Sequence, residues 1–159
     1  QASSEGEAAI RTADGAWTED AASIIDLFGG IGTLSLDRVP GRRVHIVEGD
    51  AEACASVEQA SRSPALRGRL SVERRDLDAD PVPSTELSAF DAALFDPARE
   101  LAGSKLETVV AVSCDPGTFA RDARILADGG FRLETVVPID QFLWSAHVEL
   151  VALFRRNRL

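Results

Sequence analysis

The feature that most constrains this chain is an alternation of short apolar runs with stretches of helical spacing. Strand candidates fall at Ser23–Leu27, Arg43–Val47, Leu70–Arg74, Ala92–Phe95, Val109–Val112, Leu133–Val137 and Val148–Phe154. Helix candidates fall at Thr33–Asp37, Ala51–Ser61, Arg99–Leu106 and Pro116–Asp128. Strands separated by helices predict an α/β domain built on a mostly parallel sheet. Only a loop separates the last two strand candidates, so the final strand is expected to run antiparallel. The 159 residues fit one domain with a full core. Gln1 to Asp20 is mixed and is expected to be a connecting segment, with the domain proper spanning 21–159.

Composition excludes several classes. At 45% hydrophobic and 27% charged, the chain is globular in character, neither disordered nor membrane-like. No apolar run approaches the roughly 18 residues of a membrane span. No charged, apolar and small-residue signal opens the sequence, so the expected address is the cytoplasm. Two cysteines, Cys54 and Cys114, cannot build a disulfide framework or give four thiolates to a metal centre. A net charge of −9 argues against this domain gripping a phosphate backbone by itself. Its basic residues are arginines apart from Lys105, gathered in Arg67 to Arg75, Arg121 to Arg132 and Arg155 to Arg158. Such groups fit a solvated surface, or local patches that face nucleic acid.

The first strand candidate runs into Asp26-Leu27-Phe28-Gly29-Gly30-Ile31-Gly32-Thr33. A strand feeding a glycine-rich turn lets backbone approach a ligand closely. Glu48 ends the second strand, where a carboxylate can accept both hydrogen bonds of a ribose diol. Asp76 follows the third, suitably placed for an adenine amino group. Taken alone, the turn also fits a tight connection without ligand. The dinucleotide fingerprint matches imperfectly, because Ser35 stands where its third glycine would be. Turn and acid together point to a nucleoside cofactor.

Val109 to Ser113 delivers Cys114 to the start of a helix that Asp115 can cap, Pro116 can open and Gly129-Gly130 can stop. Phe119, Ala123 and Leu126 share the helix face expected to pack on the sheet. Unsatisfied backbone N–H groups at a helix start favour an anion, and a thiolate is a good nucleophile. A free cysteine is also commonly a small buried hydrophobe, the reading accepted for Cys54. Asp96, before Pro97, is a second strand-end carboxylate, and His147-Val148-Glu149 opens the last strand. Glu149 is a candidate general base, or the polar member of an alternating strand.

Ser113-Cys114-Asp115-Pro116-Gly117-Thr118-Phe119-Ala120-Arg121-Asp122 closely resembles the nucleophile segment of the RNA uracil-5 methyltransferases, which has Asn where Asp115 stands. Pro138-x-Asp140-x-Phe142 with His147-Val148-Glu149, Asp96-Pro97-Ala98-Arg99, and Asp26-Leu27-Phe28-x-Gly30-x-Gly32 resemble further motifs of that family. The resemblance runs from Gln1 to Arg156. It implies a Rossmann-like class I methyltransferase sheet and S-adenosylmethionine as cofactor. It also implies ribosomal or transfer RNA as substrate, Cys114 as nucleophile and Glu149 as base. Cofactor contacts are implied for Gln1, Phe28, Thr33, Glu48, Asp76 and Asp96, and no metal. The family carries RNA-binding and central domains upstream, and some members a four-cysteine motif; none is visible here. The stretches before Pro40 and between Asp96 and Cys114 are shorter than the family's. Other readings are a methyltransferase for cytosine or a small molecule, a cofactor-binding module without catalysis, and a nicotinamide-linked dehydrogenase. Against the first, cytosine enzymes place proline directly before the cysteine, where this chain has Ser113.

Overall fold

The computed structural model describes residues 16–95, 99–139 and 148–157. Among them, seven strands form one sheet: β1 (Ser23–Leu27), β2 (Arg43–Glu48), β3 (Leu70–Arg74), β4 (Ala92–Phe95), β5 (Thr108–Ser113), β6 (Phe131–Ile139) and β7 (Glu149–Arg156). Their order is β3-β2-β1-β4-β5-β7-β6. The first five are parallel, and β7 runs antiparallel to both β5 and β6. The expected class, mostly parallel with an antiparallel last strand, is the one found.

Every residue of β1 is buried, as a central strand covered on both faces requires. Its side chains feed two layers. Ile25 and Leu27 join a core with Leu101, Leu126, Phe131 and Phe154, while Ile24 packs with Leu94, Val110 and Val151 on the other face. Burying each large side chain contributes about 2 kcal/mol.

Helices α1 (Ala51–Ser61), α2 (Ser84–Leu87), α3 (Arg99–Ala102) and α4 (Pro116–Asp128) cover the sheet. Asp50 caps α1 through the N–H groups of Glu52 and Ala53. Asp115 caps α4 by accepting from the Thr118 N–H at 2.7 Å. Leu126 is fully buried, with Phe119 and Ala123 against the same cluster, so the expected face of α4 is the one that packs. Arg156 ties the amino edge of the sheet to its neighbours. Its guanidinium donates to the Ser104, Leu106 and Gly129 carbonyls and lies 4.1 Å over the Phe131 ring.

Several expectations need correction. The helix expected at Thr33–Asp37 is a single 3-10 turn at Leu36–Arg38. Pro40 lacks an N–H, restricts Val39 and ends any helix there, and β2 begins at Arg43. The helix expected to reach Leu106 stops at Ala102; Gly103 follows, and the Ser104 hydroxyl donates to the Leu101 carbonyl instead. A short helix at Ser84–Leu87 was not anticipated; Pro83 opens it. β6 and β7 are also longer than expected, because their mutual pairing extends past the apolar pattern. None of the described helices is long and apolar enough to cross a membrane.

Candidate active site

From β1 the chain passes to β2 on one side, and after β3 it returns to β4 on the other. Such a reversal opens a crevice at the carboxyl ends of the two central strands. A cavity of about 480 Å³ lies there, lined by Asp26, Phe28, Gly29, Thr33, Leu94 and Val112, among others.

The glycine turn shapes its wall. Phe28 has φ 57° and is 41% exposed, a left-handed conformation costly for an aromatic residue. The Phe28 N–H donates to the Val47 carbonyl at 2.9 Å, holding the turn against β2. Gly29 passes so close beneath that a Cβ there would lie 2.8 Å from Asp26 Cγ and Oδ2 and from Ile46 Cγ2. Only glycine fits that approach. Glu48, at the end of β2, accepts from the Gly30 N–H at 2.9 Å and from the Asp50 N–H at 2.8 Å. Each carboxylate oxygen takes one backbone donor and keeps lone-pair capacity for a second. Asp76 is exposed beyond β3, accepting from the Asp78 and Ala79 N–H groups. A cradle that a Cβ would fill, apolar walls and a fixed carboxylate one strand over fit a nucleoside cofactor.

Cys114 is exposed, directly after β5 and before the α4 cap. Val112, two residues earlier, lines the cavity. Across the sheet, Ser113 pairs with Leu150 in an unbroken antiparallel register. Cys114 follows Ser113 and Glu149 precedes Leu150, so both stand next to this last pair of the ladder. Glu149 is half-buried, and burial pushes its carboxyl above the ordinary glutamate pKa. The structure therefore gathers Phe28, Thr33, Glu48, Cys114 and Glu149 along one edge, with Asp76 beyond β3. Gln1, Asp96 and His147 lie outside the described residues. Cys54 is buried, its thiol 3.4 Å from the Glu48 carbonyl and shifted up in pKa chiefly by burial. Among the described residues no group of three or more His, Cys, Asp or Glu is placed to hold a metal ion.

Sequence reasoning did not name Leu94 or Val112 as cavity residues. Their signal lies in strand adjacency, since Leu94 pairs with Asp26 across β1 and β4 and Val112 lies on the neighbouring β5.

This strand order, with its antiparallel seventh strand, is the class I methyltransferase fold, shared with a magnesium protoporphyrin IX methyltransferase of Synechocystis (TM-score 0.74, 14% identity, 96% of this chain and 81% of that one). Its relatives in sequence include proteins named as RNA methyltransferases. A Brucella melitensis protein named as an uncharacterized RNA methyltransferase is 45% identical over 166 residues, covering 99% of this chain and 40% of that protein. The 23S rRNA (uracil(1939)-C(5))-methyltransferase RlmD of Alteromonas naphthalenivorans is 35% identical, over 85% of this chain and 30% of its own. The Pyrococcus abyssi tRNA (uracil-54, C5)-methyltransferase, solved with S-adenosyl-L-homocysteine, superposes with a TM-score of 0.76 at 25% identity, over 93% of this chain and 38% of that one. The chain thus spans between a third and a half of the length of the first curated relatives it matches. No family model matches it.

Proposed function

We propose that this chain is the catalytic part of an S-adenosylmethionine-dependent RNA methyltransferase acting on carbon 5 of a uridine in ribosomal or transfer RNA. The observation that carries this reading is the end of the β5–β7 ladder, where the Ser113–Leu150 pair stands next to Cys114 and Glu149, and Val112 of β5 lines the cavity at the glycine turn. The relatives and the structural neighbour with S-adenosyl-L-homocysteine support the same chemistry.

Phe28, Thr33, Glu48 and Asp76 hold the cofactor, together with Gln1 and Asp96. Bound S-adenosylmethionine supplies the methyl group as an electrophile. Carbon 5 of uracil is too weak a nucleophile for direct methylation, so the chain must activate the ring. The Cys114 thiolate adds to carbon 6, and the displaced electron pair moves into the ring as an enolate with negative charge at carbon 5. Holding that carbon in line with the methyl group is a matter of positioning, which the fixed turn and strand ends provide. Once carbon 5 carries the methyl group, Glu149 takes its remaining proton. The electron pair so freed re-forms the ring double bond, and the carbon–sulfur bond breaks back to the thiolate. A half-buried carboxylate with a raised pKa is a stronger base for this step than an exposed one. The target base must leave its stack to enter. With a net charge of −9, the main grip on RNA falls to additional portions such as the longer relatives carry.

The test is a covalent adduct between the intact protein and 5-fluorouridine RNA, mapped by mass spectrometry with S-adenosylmethionine present. The adduct is expected on Cys114 and absent from Cys114→Ala. An adduct that survives this substitution would overturn the assignment. Tritium release from 5-tritiated uridine RNA separates an enzyme from a binding module: cofactor binding without release refutes catalysis.

A further inference from the structure

A second cavity, of about 270 Å³, opens at the other end of the strands from the glycine turn. Arg43, Val44, His45, Ser71, Ala89 and Phe90 line it. Arg43 begins β2 and Glu48 ends it, so the 6 residues of that strand put about 17 Å between this cavity and the cofactor crevice. The proposed methyl transfer uses none of these side chains.

Two rings form a fixed flat surface there. His45 and Phe90 have ring planes 15° apart and centroids 5.9 Å apart. His45 Nδ1 shares a hydrogen bond with the Ser71 hydroxyl at 2.8 Å, and Nε2 stands 3.5 Å from Glu73 Oε2. Phe90 packs against the main core. Both rings are thus held in place, and both are only half-buried. A ring fixed in this way stacks on a flat ligand with little further loss of freedom.

Charge narrows the choice of ligand. Arg43 is exposed at the rim, and Arg69 lies beside it, its carbonyl accepting from the Val44 N–H at 2.7 Å. Neither guanidinium takes part in the ion pairs found among the described residues. The neighbouring carboxylates are already engaged. Glu73 Oε1 accepts from Arg75 at 2.7 Å, and Asp91 Oδ2, next to Phe90, accepts from the Ala22 and Ser23 N–H groups. An aromatic seat with guanidiniums at its edge matches a nucleotide, with the base on the rings and the phosphate on arginine.

We propose that this cavity seats an unpaired nucleotide of the RNA substrate, several positions along the strand from the target base. This rests on the reading of the chain as the catalytic part of an RNA methyltransferase. A net charge of −9 gives the domain no broad grip on a phosphate backbone, and one seated base adds hold that long-range attraction does not supply. Every base has a face to stack, so the seat accepts RNA of varied sequence.

Ultraviolet crosslinking of the intact protein to mixed-sequence single-stranded RNA containing 5-fluorouridine, mapped by mass spectrometry, tests this. Crosslinked nucleotides are expected on the peptides that carry His45 or Phe90, in the samples that form the Cys114 adduct. In titrations with the uridine form of that RNA, Phe90→Leu is expected to weaken binding about fivefold or more, and Phe90→Tyr, which keeps a ring, to bind as the parent does. Arg43→Ala is expected to lower the slope of log affinity against log salt by about 0.7. A Cys114 adduct with no crosslink at either ring, equal loss in Phe90→Leu and Phe90→Tyr, or an unchanged salt slope each overturns the proposal and leaves the proposed function standing. Absence of the Cys114 adduct from the unmodified protein removes that function, and this inference with it. AMP and UMP separate the two sources of a nucleotide: binding as tight as that of the RNA, and lost in Phe90→Leu, makes the cavity a mononucleotide site and overturns the RNA assignment. If Phe90→Leu does not fold, His45→Ala against His45→Phe gives the same comparison.

Discussion

Two adjacent glycines in the cofactor turn should respond to alanine for different reasons, and the structure sets both magnitudes. In Gly29→Ala the new methyl group meets Asp26 Cγ, Asp26 Oδ2 and Ile46 Cγ2 at 2.8 Å. Neither neighbour can swing into solvent, since Asp26 is 3% exposed and Ile46 is fully buried. Overpacking of this kind costs about 1–3 kcal/mol. Alanine also restricts the unfolded chain, which returns about 0.4–1 kcal/mol. The net loss is about 1–2 kcal/mol, or a melting temperature lower by about 2–8 °C for a chain of this size. Gly30→Ala meets nothing within 4 Å, but its φ of +55° is a left-handed conformation. That costs about 1–2 kcal/mol with the same offset, a net loss of about 0.5–1 kcal/mol. Differential scanning calorimetry of both variants, alongside titration with S-adenosylmethionine, reads the two effects. Gly29→Ala should be the less stable and should also bind the cofactor more weakly, because its clash displaces the carboxylate at the cavity floor. A Gly29→Ala variant as stable as Gly30→Ala would refute the argument from close approach.

Asp115→Ala removes the α4 cap and should cost about 1 kcal/mol in urea unfolding, with slower adduct formation at Cys114; Asp115→Asn should restore both, and equal loss in the two variants would show that the cap is not responsible. Glu149 has a raised pKa in the folded protein, so the fold favours its protonated form. Its contribution therefore opposes folding above that pKa, and the cost is relieved as pH falls through it. As a base it must be deprotonated, so the acid limb of the rate profile should lie above that of an ordinary glutamate. Glu149→Gln should accumulate the methylated RNA adduct, seen as a gel-shifted band, and free product without adduct would remove Glu149 from the elimination step. Arg156→Ala leaves the Ser104, Leu106 and Gly129 carbonyls without their donor and should cost about 2–4 kcal/mol by urea titration; a loss below about 0.5 kcal/mol would mean that water replaces the guanidinium fully.

Much of the sheet was legible in the sequence, most directly where central strands are buried on both faces. Ser23–Leu27, Ala92–Phe95 and the edge strand Leu70–Arg74 keep their expected bounds, as do the helices Ala51–Ser61 and Pro116–Asp128, the latter with its expected Asp115 cap. Less was legible at the β6 edge. The apolar run Leu133–Val137 extends to Phe131–Ile139 because pairing with β7 continues past it at both ends, through exposed Arg132 and Pro138 to buried Phe131 and Ile139. Thr33–Asp37 carries helical spacing, but Pro40 and the early start of β2 leave no length for a helix. At the candidate site, the cap residues placed Cys114 at a strand end, a local signal. The nearness of Cys114 and Glu149 to the same Ser113–Leu150 pair, and the cavity places of Leu94 and Val112, depend on which strands are neighbours. That information is distributed over residues far apart in the chain.

The six paired rungs of β5 and β7 have a consequence for how such a protein can change. A single-residue insertion or deletion within either strand would turn the residues beyond it, and with them candidate Cys114 or Glu149, to the opposite face of the sheet. Drift in spacing along the ladder is thus forbidden, and new target preferences must arise from the connecting segments. On the proposed function, engineered recognition of a different pyrimidine should therefore graft loops and leave the two strands untouched.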